Sequence, residues 1–110
     1  DYGYDFTPMP GAGRHVFAVE NRAAQPHEVL LLRLAPGKHV ADVLAWASGK
    51  VTGPPPADPV GGVTALSKGH TATFEATLAP GSYALLCYVP DAKDGRPHVA
   101  HGMTRELTVR

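Results

Sequence analysis

The sequence predicts an all-β sandwich interrupted by one short helix. Three observations carry this prediction. Gly and Pro, 12 and 11 of the 110 residues, punctuate the chain at intervals that leave room for short strands and little else. Several of the segments between them are rich in β-formers or alternate apolar and polar residues. Only the stretch near 39–48 shows helical spacing. A length of 110 residues fits one domain, 1–110, large enough to bury a core without disulfides.

Taken in order, strands are expected near Tyr2–Phe6, Arg14–Glu20, His27–Leu34, Val63–Leu66, His70–Leu78, Tyr83–Val89 and Met103–Arg110. Ala35-Pro36-Gly37 and Ala79-Pro80-Gly81 are expected as type II turns, in which glycine takes the positive φ. Val40, Val43, Leu44 and Ala47 recur at helical spacing with Trp46 beside them, which predicts a helix over His39–Ser48 ending before Gly49. Val29, Leu30, Leu31 and Leu32 are apolar on both faces of their strand, so a second layer has to cover the outer face. The helix is the natural cover. Thr52–Pro59, with three consecutive prolines, is expected to be a stiff extended connection within the domain. A second long connection runs from Pro90 to Gly102.

Charge excludes several classes of partner. Ten basic and ten acidic side chains cancel, with no basic stripe for nucleic acid and no polybasic run for an anionic membrane. No apolar run approaches the length needed to cross a bilayer. The sequence starts at Asp1 without a methionine or a leader, as expected of a mature or trimmed product. Carboxylates are scattered and suggest no acid–base pair. Gly11-Ala12-Gly13 lacks the strand and helix that flank a phosphate loop. Cys87 with a histidine has no accompanying oxyanion-hole signal, so an enzyme is not expected.

Chemistry concentrates at one end. With period two, Tyr83, Leu85 and Cys87 share a face of their strand. Met103, Leu107 and Val109 share a face of the last strand, with Arg105 a misfit among them. If the two strands are neighbours, Cys87 and Met103 lie at the same end of the sandwich. His27 opens a third strand and can reach that end, and His98 and His101 lie in the intervening loop. One thiolate, two imidazoles and a weak axial thioether describe a blue-copper site, whereas zinc has little use for methionine. His15, His39 and His70 have no such company and are expected at the surface.

Three segments extend the pattern. Ala24-Gln25-Pro26-His27 precedes an apolar strand. Leu78-Ala79-Pro80-Gly81-Ser82-Tyr83-Ala84-Leu85-Leu86-Cys87 runs from a Pro-Gly turn into the cysteine. His98-Val99-Ala100-His101-Gly102-Met103 opens the final strand. In this order, over nearly the whole chain, the segments resemble the cupredoxin family, whose plastocyanin-like members bind one copper ion. The resemblance implies a cupredoxin-like Greek-key β-sandwich. It implies His27, Cys87 and His98 as strong copper ligands, with His101 as the alternative to His98, and Met103 as the axial ligand. It further implies one-electron transfer through Cu(I)/Cu(II), a redox partner protein, and a periplasmic or extracellular setting. A metal-free accessory module and a copper storage or delivery protein are the rival readings. Ten residues, Tyr88 to Pro97, separate Cys87 from His98, more than is usual in the family, and the helix is an insertion relative to its simplest members.

Overall fold

The computed structural model describes residues 2–5 and 9–110. Six strands and one helix follow in the order β1 (Gly13–Glu20), β2 (His27–Leu34), α1 (Val40–Ala47), β3 (Ala57–Leu66), β4 (Thr71–Leu78), β5 (Gly81–Leu86) and β6 (Thr104–Val109). A 3₁₀ turn, His98–His101, precedes β6. β1 and β4 form one antiparallel sheet, and β3-β2-β5-β6 form the other. The architecture is the all-β, cupredoxin-like sandwich that the sequence predicts, with its one short helix.

The double-sided character of β2 is explained by what lies on each face. Leu31, Tyr83, Leu85, Leu107 and Val109 pack towards Ala76 and Leu78 of the β1–β4 sheet, with Phe17 and Phe74 alongside. Leu32, Leu34, Ala84 and Leu86 face the other way and are covered by Val43 of α1. The helix is thus a third layer over the larger sheet. It stops where expected, at Gly49, whose φ of 78° suits glycine and whose N–H donates to the Trp46 carbonyl at 3.1 Å.

Several expectations are corrected. Residues 2–5 are not a strand, and Phe6 lies outside the described residues. The segment is tied down instead, with the Tyr4 hydroxyl donating to the Glu28 carbonyl at 2.8 Å and Arg105 Nη1 donating to the Tyr4 carbonyl at 2.8 Å. That second bond accounts for Arg105 among the apolar residues of β6. The proline-rich connection is shorter than expected because β3 starts at Ala57 and takes in Pro59. β3 is an edge strand, where a missing N–H costs no ladder bond. At Ala35-Pro36-Gly37 the turn closes as expected, through Lys38 N–H to the Ala35 carbonyl with Gly37 at φ 76°. Ala79-Pro80-Gly81 is not a type II turn, because Gly81, with φ 154° where such a turn needs about 80°, already pairs with Val109 at the head of β5. The corner is held by the Tyr83 hydroxyl, which donates to the Ala79 carbonyl at 2.7 Å. His39 and His70 are exposed, whereas His15 is half-buried, beside Phe17 and with Nε2 2.6 Å from the Gly11 carbonyl.

Candidate metal centre

Strand register assembles the site. The last β5–β6 pair is Leu86–Thr104, and one residue further along the two strands come Cys87 and Met103. β2 runs antiparallel to β5, so its first residue, His27, lies beyond the Leu30–Leu86 pair at the same end. Parity turns His27 and Cys87 to the face that carries Leu31 and Leu85.

The long loop returns His98 by pinching its own base. Pro90 and Pro97 form an isolated antiparallel bridge, Asp91 N–H donates to the Arg96 carbonyl at 2.7 Å, and Gly95 N–H donates to the Asp91 carbonyl at 2.9 Å. Residues 91–96 are therefore a self-closed hairpin, and the added length is spent inside it. Beyond the pinch, His98 N–H donates to the Val89 carbonyl and Val99 N–H to the Cys87 carbonyl, each at 2.9 Å. The 3₁₀ turn that follows ends at Gly102, in the left-handed region at φ 86°, and Met103 N–H donates to the His98 carbonyl at 3.1 Å.

His27, Cys87 and His98 meet as a buried triad, 7%, 0% and 0% exposed. His27 Nδ1 and His98 Nδ1 are 3.1 Å apart, and Cys87 Sγ is 3.9 Å from the first and 3.5 Å from the second. The point equidistant from the corners of that triangle lies about 2.1 Å from each, which matches the zinc–nitrogen bond of about 2.0–2.1 Å and falls about 0.2 Å short of the zinc–thiolate bond of about 2.3 Å. The donor set is soft sulfur with two imidazoles, which suits copper. Met103 is 3% exposed at the same end. His101 faces elsewhere, with Nε2 2.9 Å from Asp94 Oδ2, in a separate group with Asp91 and Asp94.

The electrostatics follow from burial. His27 is pulled down to about 4, first by burial and then by the neighbouring His98, so its ring is neutral near pH 7. Burial pushes the Cys87 thiol up, against the pull of N–H groups from Glu28, 3.4 Å from Sγ, and Val89. Without a cation, the sulfur therefore holds its proton near neutral pH.

Sequence reasoning missed the residues around His98. Its Nε2 lies 3.2 Å from Gln25 Oε1 and 3.4 Å from Asp91 Oδ1. The Asp91 carboxylate is 4% exposed and accepts from the Tyr2 hydroxyl at 2.7 Å, Gln25 Nε2 at 2.9 Å and Lys93 N–H at 3.0 Å. These bonds, the Tyr2 hydroxyl first, hold its pKa well below the usual carboxylate range. Tyr2 also stacks on His101, with ring centres 4.9 Å apart. The available signal was Asp91 with Gly95 four residues on, bracketed by two prolines, which is the composition of a tight closed turn. Missed too was Glu28, whose Oε1 accepts Tyr88 N–H at 2.8 Å where β5 gives out.

No protein-family model matches the chain, and no curated protein matches it. Among solved structures it is similar to auracyanin, a cupredoxin, from the photosynthetic bacterium Roseiflexus castenholzii, in a crystal structure of the dithionite-reduced form. The identity is 27% and the TM-score 0.60, over 100% of this chain and 85% of that one. The similarity over the full length gives the chain a cupredoxin-like fold, and His27, Cys87 and His98 meet at one end of it.

Proposed function

We propose that the chain is a copper-binding electron carrier, with His27, Cys87 and His98 holding one ion, Met103 in the axial position, and a redox partner protein in the periplasm or outside the cell. The observation that carries this reading is the triangle of donor atoms with a centre about 2.1 Å from each corner. Copper would supply the one-electron Cu(I)/Cu(II) change that no side chain here provides. The chain's own part is geometric. His27 presents a neutral imidazole. Cys87 would hold the ion as a thiolate, its proton released to solvent on binding, with the Glu28 N–H 3.4 Å from the sulfur as a donor. Complete burial of Cys87 and His98 keeps water from the donors, and three strands fix the end of the sheet from which the donors project. A site that moves little between oxidation states is what a one-electron carrier requires, and no substrate pocket or acid–base pair is called for.

The test is titration of the metal-free protein with Cu(II). We expect one equivalent to bind with an intense thiolate-to-copper absorption that Cys87→Ser abolishes, together with a reversible reduction potential. Colourless or weak binding sinks the copper reading and leaves a metal-free accessory module. Tight Cu(I) binding without a reversible couple would indicate storage or delivery instead.

A further inference from the structure

We propose that Gln25 and Asp91 are a positioning pair that locks the His98 ring into its Nε2–H tautomer and so aims a lone pair at Nδ1 into the triad. The argument starts from Gln25, whose amide orientation is fixed twice over. Ala92 N–H donates to Oε1 at 2.8 Å, so that atom is the oxygen. Nε2 donates to Asp91 Oδ1 at 2.9 Å, so that atom is the nitrogen. His98 Nε2 therefore faces two acceptors and no donor, Gln25 Oε1 at 3.2 Å and Asp91 Oδ1 at 3.4 Å. Only a proton on Nε2 satisfies that arrangement, because a buried lone pair pointed at two oxygens would be both unpaired and repelled. With Nε2 protonated, the neutral ring has its free lone pair on Nδ1, the atom 3.5 Å from Cys87 Sγ and 3.1 Å from His27 Nδ1.

Asp91 joins this lock to the closure of the hairpin. Its carboxylate takes the Lys93 and Asp94 N–H groups at 3.0 and 3.3 Å, while its backbone makes both bonds that close residues 91–96. One residue thus fixes the shape of the loop and, through Gln25, the tautomer of the histidine that the loop delivers. The Tyr2 hydroxyl occupies the same carboxylate oxygen as Gln25, which restrains that oxygen from turning away. A hydrogen-bonded partner on the far nitrogen of a metal-ligating imidazole is worth roughly 10–100-fold in metal affinity.

The consequence for metal rests on the copper reading above, but the lock itself is tested without metal. Long-range ¹⁵N–¹H NMR of the metal-free protein reads the tautomer of each histidine directly. We expect His98 as the Nε2–H form with a slowly exchanging ring proton, and a mixture of forms with fast exchange in Gln25→Leu. Asp91→Asn keeps an oxygen for Gln25 Nε2 and should retain the tautomer, which Asp91→Leu should lose. Competition with a Cu(I) chelator should show roughly 10–100-fold weaker binding in Gln25→Leu than in the unaltered protein. An Nδ1–H form in the unaltered protein, or an unchanged tautomer in Gln25→Leu, overturns the proposal, and the first of these needs no variant to fold. If the tautomer shifts as expected while the unaltered protein binds no copper, the lock stands and the copper reading falls.

Discussion

Leu86 and Cys87 are neighbours in the chain and face opposite sides of the sheet, so truncating the first separates stability from the candidate metal centre. Leu86 is 0% exposed and packs with Leu32, Leu34, Ala84 and Val43 of α1. Leu86→Ala removes three buried carbons at about 0.8 kcal/mol each, roughly 2.4 kcal/mol of lost transfer free energy. A cavity term adds to this, within the observed range of about 2–5 kcal/mol for such truncations. The cover on that side is a helix of 8 residues, short enough to settle partly into the void, which places the expected loss near 3 kcal/mol. In a domain of this size that lowers Tm by roughly 12–20 °C. Thermal and urea denaturation of the metal-free protein followed by circular dichroism measure it. A loss below about 1 kcal/mol would refute the account of α1 as a dry cover over the β2–β5 face. The Cu(II) titration should be unchanged in the variant.

Two further outcomes follow from other parts of the molecule. Glu106 caps α1 from β6, accepting Val40 N–H at 2.5 Å with His39 Nδ1 3.2 Å from its other oxygen, and the Val40 bond foremost lowers its pKa. A lowered carboxylate contributes stability that is present above the ordinary value near 4.3 and lost as pH falls through the folded-state value. Glu106→Gln should therefore flatten the acid limb of the stability–pH curve. Solvent screening at this exposed group keeps the change under about 1 kcal/mol, and an acid limb that is unaltered would remove the cap from the account. At Gly62, φ is 150° and an added Cβ would stand 2.1 Å from the Val29 carbonyl oxygen in the paired strand. Gly62→Ala should cost more than the roughly 1 kcal/mol typical of point substitutions and should increase exchange of β2–β3 amide protons, whereas a neutral result would show that the close approach of the two backbones there relaxes freely.

What the sequence disclosed is what period and parity encode. Leu31 and Leu32 both being apolar implied a layer on each side of β2, and Leu85 with Cys87 shared a face because strands alternate. The helix was legible because Val40, Val43 and Leu44 fall on one stripe. Less legible was anything set by contacts distant in sequence. The burial of Asp91, within the connection from Pro90 to Gly102, was not legible, because a charged residue is buried only where partners await it, and those partners are Tyr2 and Gln25, 89 and 66 residues away. Arg105 looked misplaced for the same reason, since its acceptor is the Tyr4 carbonyl, 101 residues away. Pro59 read as a breaker because the sequence does not say which strand will lie at an edge. At the metal centre, sequence order could nominate His27, Cys87 and His98, but their distances depend on the closure of a loop whose length argued against it.

The pinch between Pro90 and Pro97 also bears on what this fold tolerates. Residues 92–96 are exposed and lie on the far side of the bridge from His98. Chain inserted between Asp94 and Gly95 would lengthen the excursion while leaving both feet planted, at a closure cost that rises only with the logarithm of length. The hairpin tip is thus a natural splice point, where a tag, a recognition peptide or a whole added module could be carried next to the His27–Cys87–His98 group without redrawing it. The number of residues between Cys87 and His98 therefore says little about whether the two meet.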